Sequence, residues 1–103
     1  MPKYNLAFVH EAARLNKVEY NGRKVQVDIQ NLEYGLEDVV NCLLQLTESD
    51  FHQTHHYGES QIFDAYQCLF RKSTNSNEDN LYIKLRLNDE MLILELGSFH
   101  LSS

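Results

Sequence analysis

The spacing of the apolar residues changes about halfway along the chain, and this change limits the fold more than any other feature of the sequence. Between Leu36 and Leu44, apolar residues recur at intervals of three and four, which places them on one face of a helix. Between Leu81 and Leu87 they alternate with polar residues, which places them on one face of a strand. The chain is therefore expected to be α+β, with N-terminal helices packed on a small antiparallel sheet.

The first half of the chain contains one contested segment between two predicted helices. Helical spacing predicts a first helix within Tyr4–Lys17, before the helix at Leu36–Leu44. Between them, Val18-Glu19-Tyr20 and the alternating Val25–Ile29 flank Asn21-Gly22, a pattern typical of a β-hairpin. A helix that starts near Arg23 is the alternative.

After the second helix, Thr47-Glu48-Ser49-Asp50 has a capping residue followed three positions later by an acid. This pattern predicts a short helical turn that carries Phe51 and the histidines after it.

The second half of the chain is expected to form three strands. Ile62–Phe70 is rich in aromatic and apolar residues, Leu81–Leu87 alternates, and Met91–Leu96 is nearly continuous in apolar residues. Asn88-Asp89-Glu90 predicts a reversal between the last two strands, and the polar segment from Arg71 to Asn80 predicts an exposed loop.

Length and composition favour a single domain over residues 1–103, because a chain of 103 residues can bury one core but not two. No stretch approaches the roughly 20 apolar residues of a membrane span, and the N-terminus lacks a secretory signal, so we expect a cytoplasmic protein without a membrane partner. Cys42 and Cys68 are expected to be free thiols in the core. The net charge of −6 disfavours broad, non-specific binding of polyanions.

One face of the alternating strand carries an aromatic residue and two cations. Alternation sends Tyr82, Lys84 and Arg86 to the face opposite the aliphatic residues. Such a row could hold a phosphate and stack a base of single-stranded RNA. An ordinary solvated strand face has the same composition, so the row alone supports both interpretations.

A group of histidines and one tyrosine supply the remaining candidates. His52, His55 and His56 follow the capped turn, and histidine can act as general acid or base near neutral pH. An exposed polar turn is the alternative interpretation. No cysteine or second histidine motif completes a metal site, so neither metal nor cofactor is expected. Tyr66 and Asp64 should share one face of their strand, and Tyr66 is a candidate RNA contact together with His56.

Five blocks, in their order and spacing, resemble the MqsR family of bacterial toxins. The blocks are Tyr4-Asn5-Leu6-Ala7, Tyr34-Gly35-Leu36-Glu37-Asp38-Val39, Leu46-Thr47-Glu48-Ser49-Asp50-Phe51, Asp64-Ala65-Tyr66 and Leu81-Tyr82-Ile83-Lys84. The resemblance implies a RelE-like fold, a cognate antitoxin as partner, and a helix at about residues 23–33. It also implies metal-independent cleavage of messenger RNA, in which a ribose 2′-hydroxyl attacks the adjacent phosphate.

The resemblance also assigns site residues. The family's strand tyrosine and the lysine two residues later match Tyr82 and Lys84. A family lysine falls on Gln53, and a family glutamine falls on Phe63 or in a gap. The C-terminal lysine of the family meets Gly97 without a gap, or His100 if a short insertion is allowed.

These assignments lead to two hypotheses about function. In the first, the chain is an endoribonuclease acting on single-stranded RNA. Tyr82 and Lys84 then act with a histidine from His52, His55 or His100, and Arg86 contacts the substrate. In the second, the missing cations mark a homologue that has lost catalysis and acts as a protein interaction module.

Overall fold

The computed structural model describes residues 1–88 and 92–102. Within them the chain forms three α-helices, a 3₁₀ turn and five strands. In chain order these are α1 (Leu6–Arg14), β1 (Val18–Tyr20), α2 (Arg23–Asn31), α3 (Leu36–Leu44), the 3₁₀ turn (Glu48–Asp50), β2 (Phe51–His56), β3 (Ile62–Phe70), β4 (Asp79–Asn88) and β5 (Ile93–Leu101). Helices therefore dominate the first half and strands the second, which confirms the α+β class.

Local hydrogen bonds fix where the helices begin. The side chain of Asn5 accepts a hydrogen bond from the backbone N–H of Ala7 (2.8 Å) at the start of α1. The carboxylate of Asp38 accepts one from the backbone N–H of Gly35 (2.9 Å) at the start of α3. Gly22 precedes α2 with a φ of +102°, a conformation that side chains other than glycine rarely adopt. The Asn21-Gly22 pair thus starts a helix and does not close a hairpin.

The hairpin expected over Val18–Ile29 is wrong, and the helix implied by the family resemblance is correct. Val18–Tyr20 is a strand, but it pairs in parallel with β5, with Val18 opposite Leu94 and Tyr20 opposite Leu96. In α2, Val25 and Ile29 lie one turn apart and are both buried, whereas Val27 between them is 38% exposed. Helical geometry therefore buries the two side chains that reach the core and leaves the third outside.

The sheet has the strand order β1-β5-β4-β3-β2 within the described residues. Strands β2 to β5 are antiparallel neighbours, and β1 adds the parallel strand, so the sheet is larger than the three strands expected and is mixed. Strand β5 runs to Leu101, well beyond the predicted end at Leu96. Asp89, Glu90 and Met91, from the predicted reversal and the start of the predicted last strand, lie outside the described residues.

The helices cover one face of the sheet, and the core lies between them. Leu81, Ile83 and Leu85 on β4 are fully buried there, as are Val39 and Leu43 on α3. Cys42 and Cys68 are free and buried in the same core, as expected. No helix in the described part of the chain is long and apolar enough to cross a membrane.

A buried carboxylate ties the N-terminal segment to the sheet. Asp64 on β3 is fully buried, and its side chain accepts hydrogen bonds from the backbone N–H groups of Lys3 (3.0 Å) and Tyr4 (2.8 Å). It also accepts one from the hydroxyl of Thr54 on β2 (2.6 Å). Asp64 therefore fixes both the start of the chain and the edge strand β2.

Candidate active site

The face of the sheet opposite the helices, called here the open face, carries most of the polar and aromatic candidates. Alternation along β4 turns Tyr82, Lys84 and Arg86 to this face, because their neighbours Leu81, Ile83 and Leu85 are buried under the helices. The predicted orientation of this row is confirmed. All three residues are half-buried by side chains from the adjacent strands.

Tyr82 lies at the centre of a cluster drawn from three strands. Its hydroxyl is 3.1 Å from Nε2 of His55 on β2. Its ring stacks on that of His100 on β5, with centroids 5.4 Å apart and planes inclined by 26°. The small side chain of Ala65, on the β3 strand between β2 and β4, leaves room for Tyr82 and His55 to meet across that strand.

Gln53, two residues before His55 on the same strand, contacts the imidazole ring. The amide Nε2 of Gln53 lies 3.2 Å from the same Nε2 of His55 that contacts Tyr82. The amide nitrogen of Gln53 and the hydroxyl of Tyr82 can both donate a hydrogen bond, so two donor groups converge on one imidazole nitrogen.

Lys84 is held against Tyr57, the residue that follows β2. Its Nζ donates a hydrogen bond to the Tyr57 hydroxyl (2.8 Å) and lies 4.9 Å from the centroid of the ring. The Tyr57 ring is nearly parallel to that of His55, with centroids 5.9 Å apart, and Phe63 packs edge-on against it at 6.1 Å. These contacts join Lys84 to the Tyr82 cluster through aromatic side chains.

Arg86 lies in the same row, but its charge is already balanced. Its Nη1 donates to the carboxylate of Glu95 on β5 (3.0 Å), and the two side chains are only 20% and 16% exposed. Because the pair is largely buried, the attraction is screened less than that of a surface ion pair. Arg86 therefore has less free charge to offer a phosphate than Lys84 has.

Three of the predicted site residues lie away from this cluster. Tyr66 is fully buried on the helix-covered face, which it shares with Asp64 as expected, and it packs against Phe51. Burial raises the pKa of its hydroxyl. His56, two residues after Thr54, lies on the same face of β2 as Thr54, which contacts Asp64. His52 is exposed at a bulge in that strand.

The histidines lie on a strand, and their prediction on a helical turn is wrong. The capped turn itself is confirmed, since the Asp50 carboxylate accepts a hydrogen bond from the backbone N–H of Thr47 (2.9 Å) around the 3₁₀ turn. The turn ends at Asp50, because Phe51 pairs with Tyr66 and begins β2. The buried ring contact between Phe51 and Tyr66 favours the strand.

Sequence reasoning missed Tyr57 as a site residue. Once β2 is recognised as a strand, alternation from Gln53 through His55 to Tyr57 places all three on the open face, and this is the signal that could have identified it. Gln53, on which the resemblance puts a family lysine, also lies there, as does Phe63, on which it puts a family glutamine unless there is a gap.

Gly97 explains part of the departure from the family pattern. Leu96 on β5 pairs with Leu85 on β4, and Ser98 pairs with the adjacent Lys84. Gly97 between them has no partner on β4 and is the extra residue of a β-bulge. A side-chain carbon at this position would lie 2.8 Å from the ring of Phe63. The large ring at position 63 therefore requires the glycine, and His100, three residues later, is the side chain that reaches Tyr82.

In the described residues, no group of three or more histidine, cysteine, aspartate or glutamate side chains could hold a metal ion.

Comparison with known proteins identifies the family. The comparison with curated proteins gave no match. The profile of the family described as "Motility quorum-sensing regulator, toxin of MqsA" matches residues 1–100 of the 103-residue chain. Because the match covers nearly the whole chain, this protein belongs to the MqsR toxin family and is the toxin of a toxin–antitoxin pair.

Proposed function

We propose that this toxin is an endoribonuclease that cleaves single-stranded messenger RNA without a metal ion, and that its activity is held in check by a cognate antitoxin in the cytoplasm. One observation carries the proposal: His55, Tyr82, Lys84 and His100, brought from three strands, form one cluster on the open face. The family membership supports the toxin role, and the cluster supplies groups suited to the chemistry.

The reaction needs a base, an acid and a cation at one phosphate. A base removes the proton of a ribose 2′-hydroxyl, and the oxygen then attacks the adjacent phosphorus. The bond to the 5′-oxygen of the next nucleotide breaks, and that oxygen takes a proton from an acid. The products are a 2′,3′-cyclic phosphate and a free 5′-hydroxyl, so atoms and charge balance.

The cluster offers a residue for each role. His55 is the base: its Nε2 faces Tyr82 in the centre of the cluster, and a substrate 2′-hydroxyl that displaces the Gln53 amide from this nitrogen donates its proton there. His100, stacked on the other side of Tyr82, is the acid when protonated. Lys84 supplies positive charge to the phosphorane in a partly dehydrated site, where charge stabilisation is stronger than in water. Tyr82 contacts both histidines, and once His55 Nε2 has taken up the substrate proton and donates to the Tyr82 oxygen, the hydroxyl hydrogen of Tyr82 is free to bond a phosphate oxygen.

Cleavage of a long unstructured RNA in EDTA tests this proposal. We expect discrete fragments with wild-type protein, and a loss of rate of about 100-fold or more in His55→Ala, within the range typical of general acid–base catalysis. The rate should depend on pH, because the reaction needs one histidine unprotonated and the other protonated. Tyr82→Phe and Lys84→Ala should slow cleavage without lowering the thermal midpoint appreciably, because both side chains point away from the core.

Two histidines provide matched controls. His52→Ala and His56→Ala remove the same side chain from the same strand, but neither residue contacts Tyr82 or Lys84 in the described part of the chain. Both should cleave like wild type. Full activity in His55→Ala combined with His100→Ala would refute the assignment of acid and base.

A second candidate function is a protein interaction module without catalysis. The observation that favours it is the Arg86–Glu95 pair, which cancels one cation of the row. The family resemblance adds that Gln53, and Gly97 in the ungapped match, lie where the family has lysine. Wild-type protein that binds its antitoxin but gives no RNA fragments between pH 5 and 8 would establish this alternative.

A further inference from the structure

We propose that Tyr57 is a nucleobase-binding residue, which stacks one unpaired base of single-stranded RNA beside the phosphate held by Lys84. This inference rests on the ribonuclease function proposed above and adds to it the residue that orients the substrate. The juxtaposition that carries it is an exposed aromatic ring fixed between a lysine, a histidine and a second aromatic ring.

Tyr57 is both exposed and fixed, a combination unusual for a residue in a turn. Its side chain is 58% exposed. Its backbone N–H donates to the carbonyl of Gln61 (2.8 Å), which closes the turn between β2 and β3. Its hydroxyl accepts from Lys84 Nζ (2.8 Å), and Phe63 supports the ring from its edge. A ring fixed in this way loses little conformational entropy when a ligand stacks on it.

The neighbours of Tyr57 favour a base over an aliphatic side chain as the ligand. The ring planes of Tyr57 and His55 are inclined by only 6°, so a base stacked on Tyr57 would also lie parallel to the His55 ring. Unpaired bases bind proteins mainly by stacking on such aromatic surfaces. Lys84 lies 4.9 Å from the Tyr57 centroid, so a nucleotide whose base covers the ring would bring its phosphate within reach of the cation.

The position relative to the cluster also fits consecutive nucleotides. Lys84 contacts Tyr57, and His55 contacts both Tyr57 and Tyr82. A base on Tyr57 would therefore lie next to the proposed site of attack. In this arrangement Gln53 contacts His55, and Phe63 packs against Tyr57.

Binding to an RNA that cannot be cleaved tests the inference separately from catalysis. The probe is a short fluorescent 2′-O-methyl RNA that spans a cleavage site mapped with wild-type protein, and anisotropy gives its Kd. Tyr57→Ala should weaken binding by about 5- to 150-fold, the range for loss of one stacked base. Tyr57→Phe is the matched control, because it keeps the ring and loses only the bond to Lys84. It should bind within a few-fold of wild type.

Abasic substitution identifies the base that stacks. Replacing one nucleotide at a time with an abasic residue should weaken wild-type binding most at a single position beside the cleavage site. In Tyr57→Ala, the same replacement should have little further effect. Wild-type affinity in Tyr57→Ala, or equal losses at that position in both proteins, would overturn the role of Tyr57 and leave the ribonuclease proposal intact. Absence of cleavage by wild type, which would leave no site from which to design the probe, would overturn both proposals.

Discussion

Replacing the buried Asp64 with alanine should destabilise the protein by about 3 kcal/mol. Its carboxylate accepts three hydrogen bonds, at 3.0, 2.8 and 2.6 Å, and a bond to a charged group contributes about 1.5–3 kcal/mol. Water can reach the half-buried Thr54 and part of the N-terminal segment in the variant, which recovers some of this loss. The buried N–H of Tyr4 cannot be recovered so easily, and an unsatisfied buried donor costs about 1–3 kcal/mol.

The loss is measured by chemical denaturation, and the thermal midpoint should fall by about 12–24 °C for a domain of this size. Asp28→Ala is the control, because it removes an aspartate whose ion pair with Lys24 lies on a helix surface, where such pairs contribute less than about 1 kcal/mol. Thr54→Val removes one of the three bonds to Asp64 and should cost about 1.5 kcal/mol, the low end of the range for a bond to a charged group, because Thr54 is only half-buried. If Asp64→Ala loses no more than Asp28→Ala, the carboxylate does not anchor the N-terminal segment.

Three further outcomes follow from the packing. Tyr66→Phe should leave stability unchanged or raise it by up to about 1 kcal/mol in a melting experiment, because its buried hydroxyl has no hydrogen-bond partner in the described residues; it should also leave RNA cleavage intact. Burial raises the pKa of Tyr66 and Tyr34 above the ordinary 10.0, so the folded chain keeps protons that the unfolded chain releases. The free energy of unfolding should therefore fall as pH rises above about 10, and less so in Tyr66→Phe; a flat profile would contradict this. Gly97→Ala should cost about 1–3 kcal/mol through contact with the Phe63 ring, and Phe63→Leu should relieve that cost in the double variant.

Local sequence determined several elements because the forces that fix them act between near neighbours. The helix at Leu36–Leu44, the cap at Thr47–Asp50 and the alternation along β4 were all predicted from spacing alone, and the structure confirms each of them. The orientation of Tyr82 and Lys84 followed from that alternation, because successive side chains on a strand must point to opposite faces.

The segment around Arg23 shows where local pattern fails. Asn21-Gly22 suits the turn of a hairpin, but the glycine also suits the start of a helix. The segment Val25–Ile29 alternates like a strand, but it also has Val25 and Ile29 one helical turn apart. Nothing within the segment decides between the two. The decision comes from the core, which buries Val25 and Ile29 together and leaves the edge of β5 to pair with Val18–Tyr20.

The candidate site depends on tertiary structure to a greater degree. The sequence by itself determined which face of β4 carries Tyr82 and Lys84, and the family resemblance pointed to His100. The sequence did not distinguish among the three histidines that follow the capped turn. The strand order β5-β4-β3-β2 selects His55 and His100 as the neighbours of Tyr82, and it places Tyr66 under the helices. Strand order is set by contacts between residues far apart in sequence, so local periodicity carries no information about which side chains meet across the sheet.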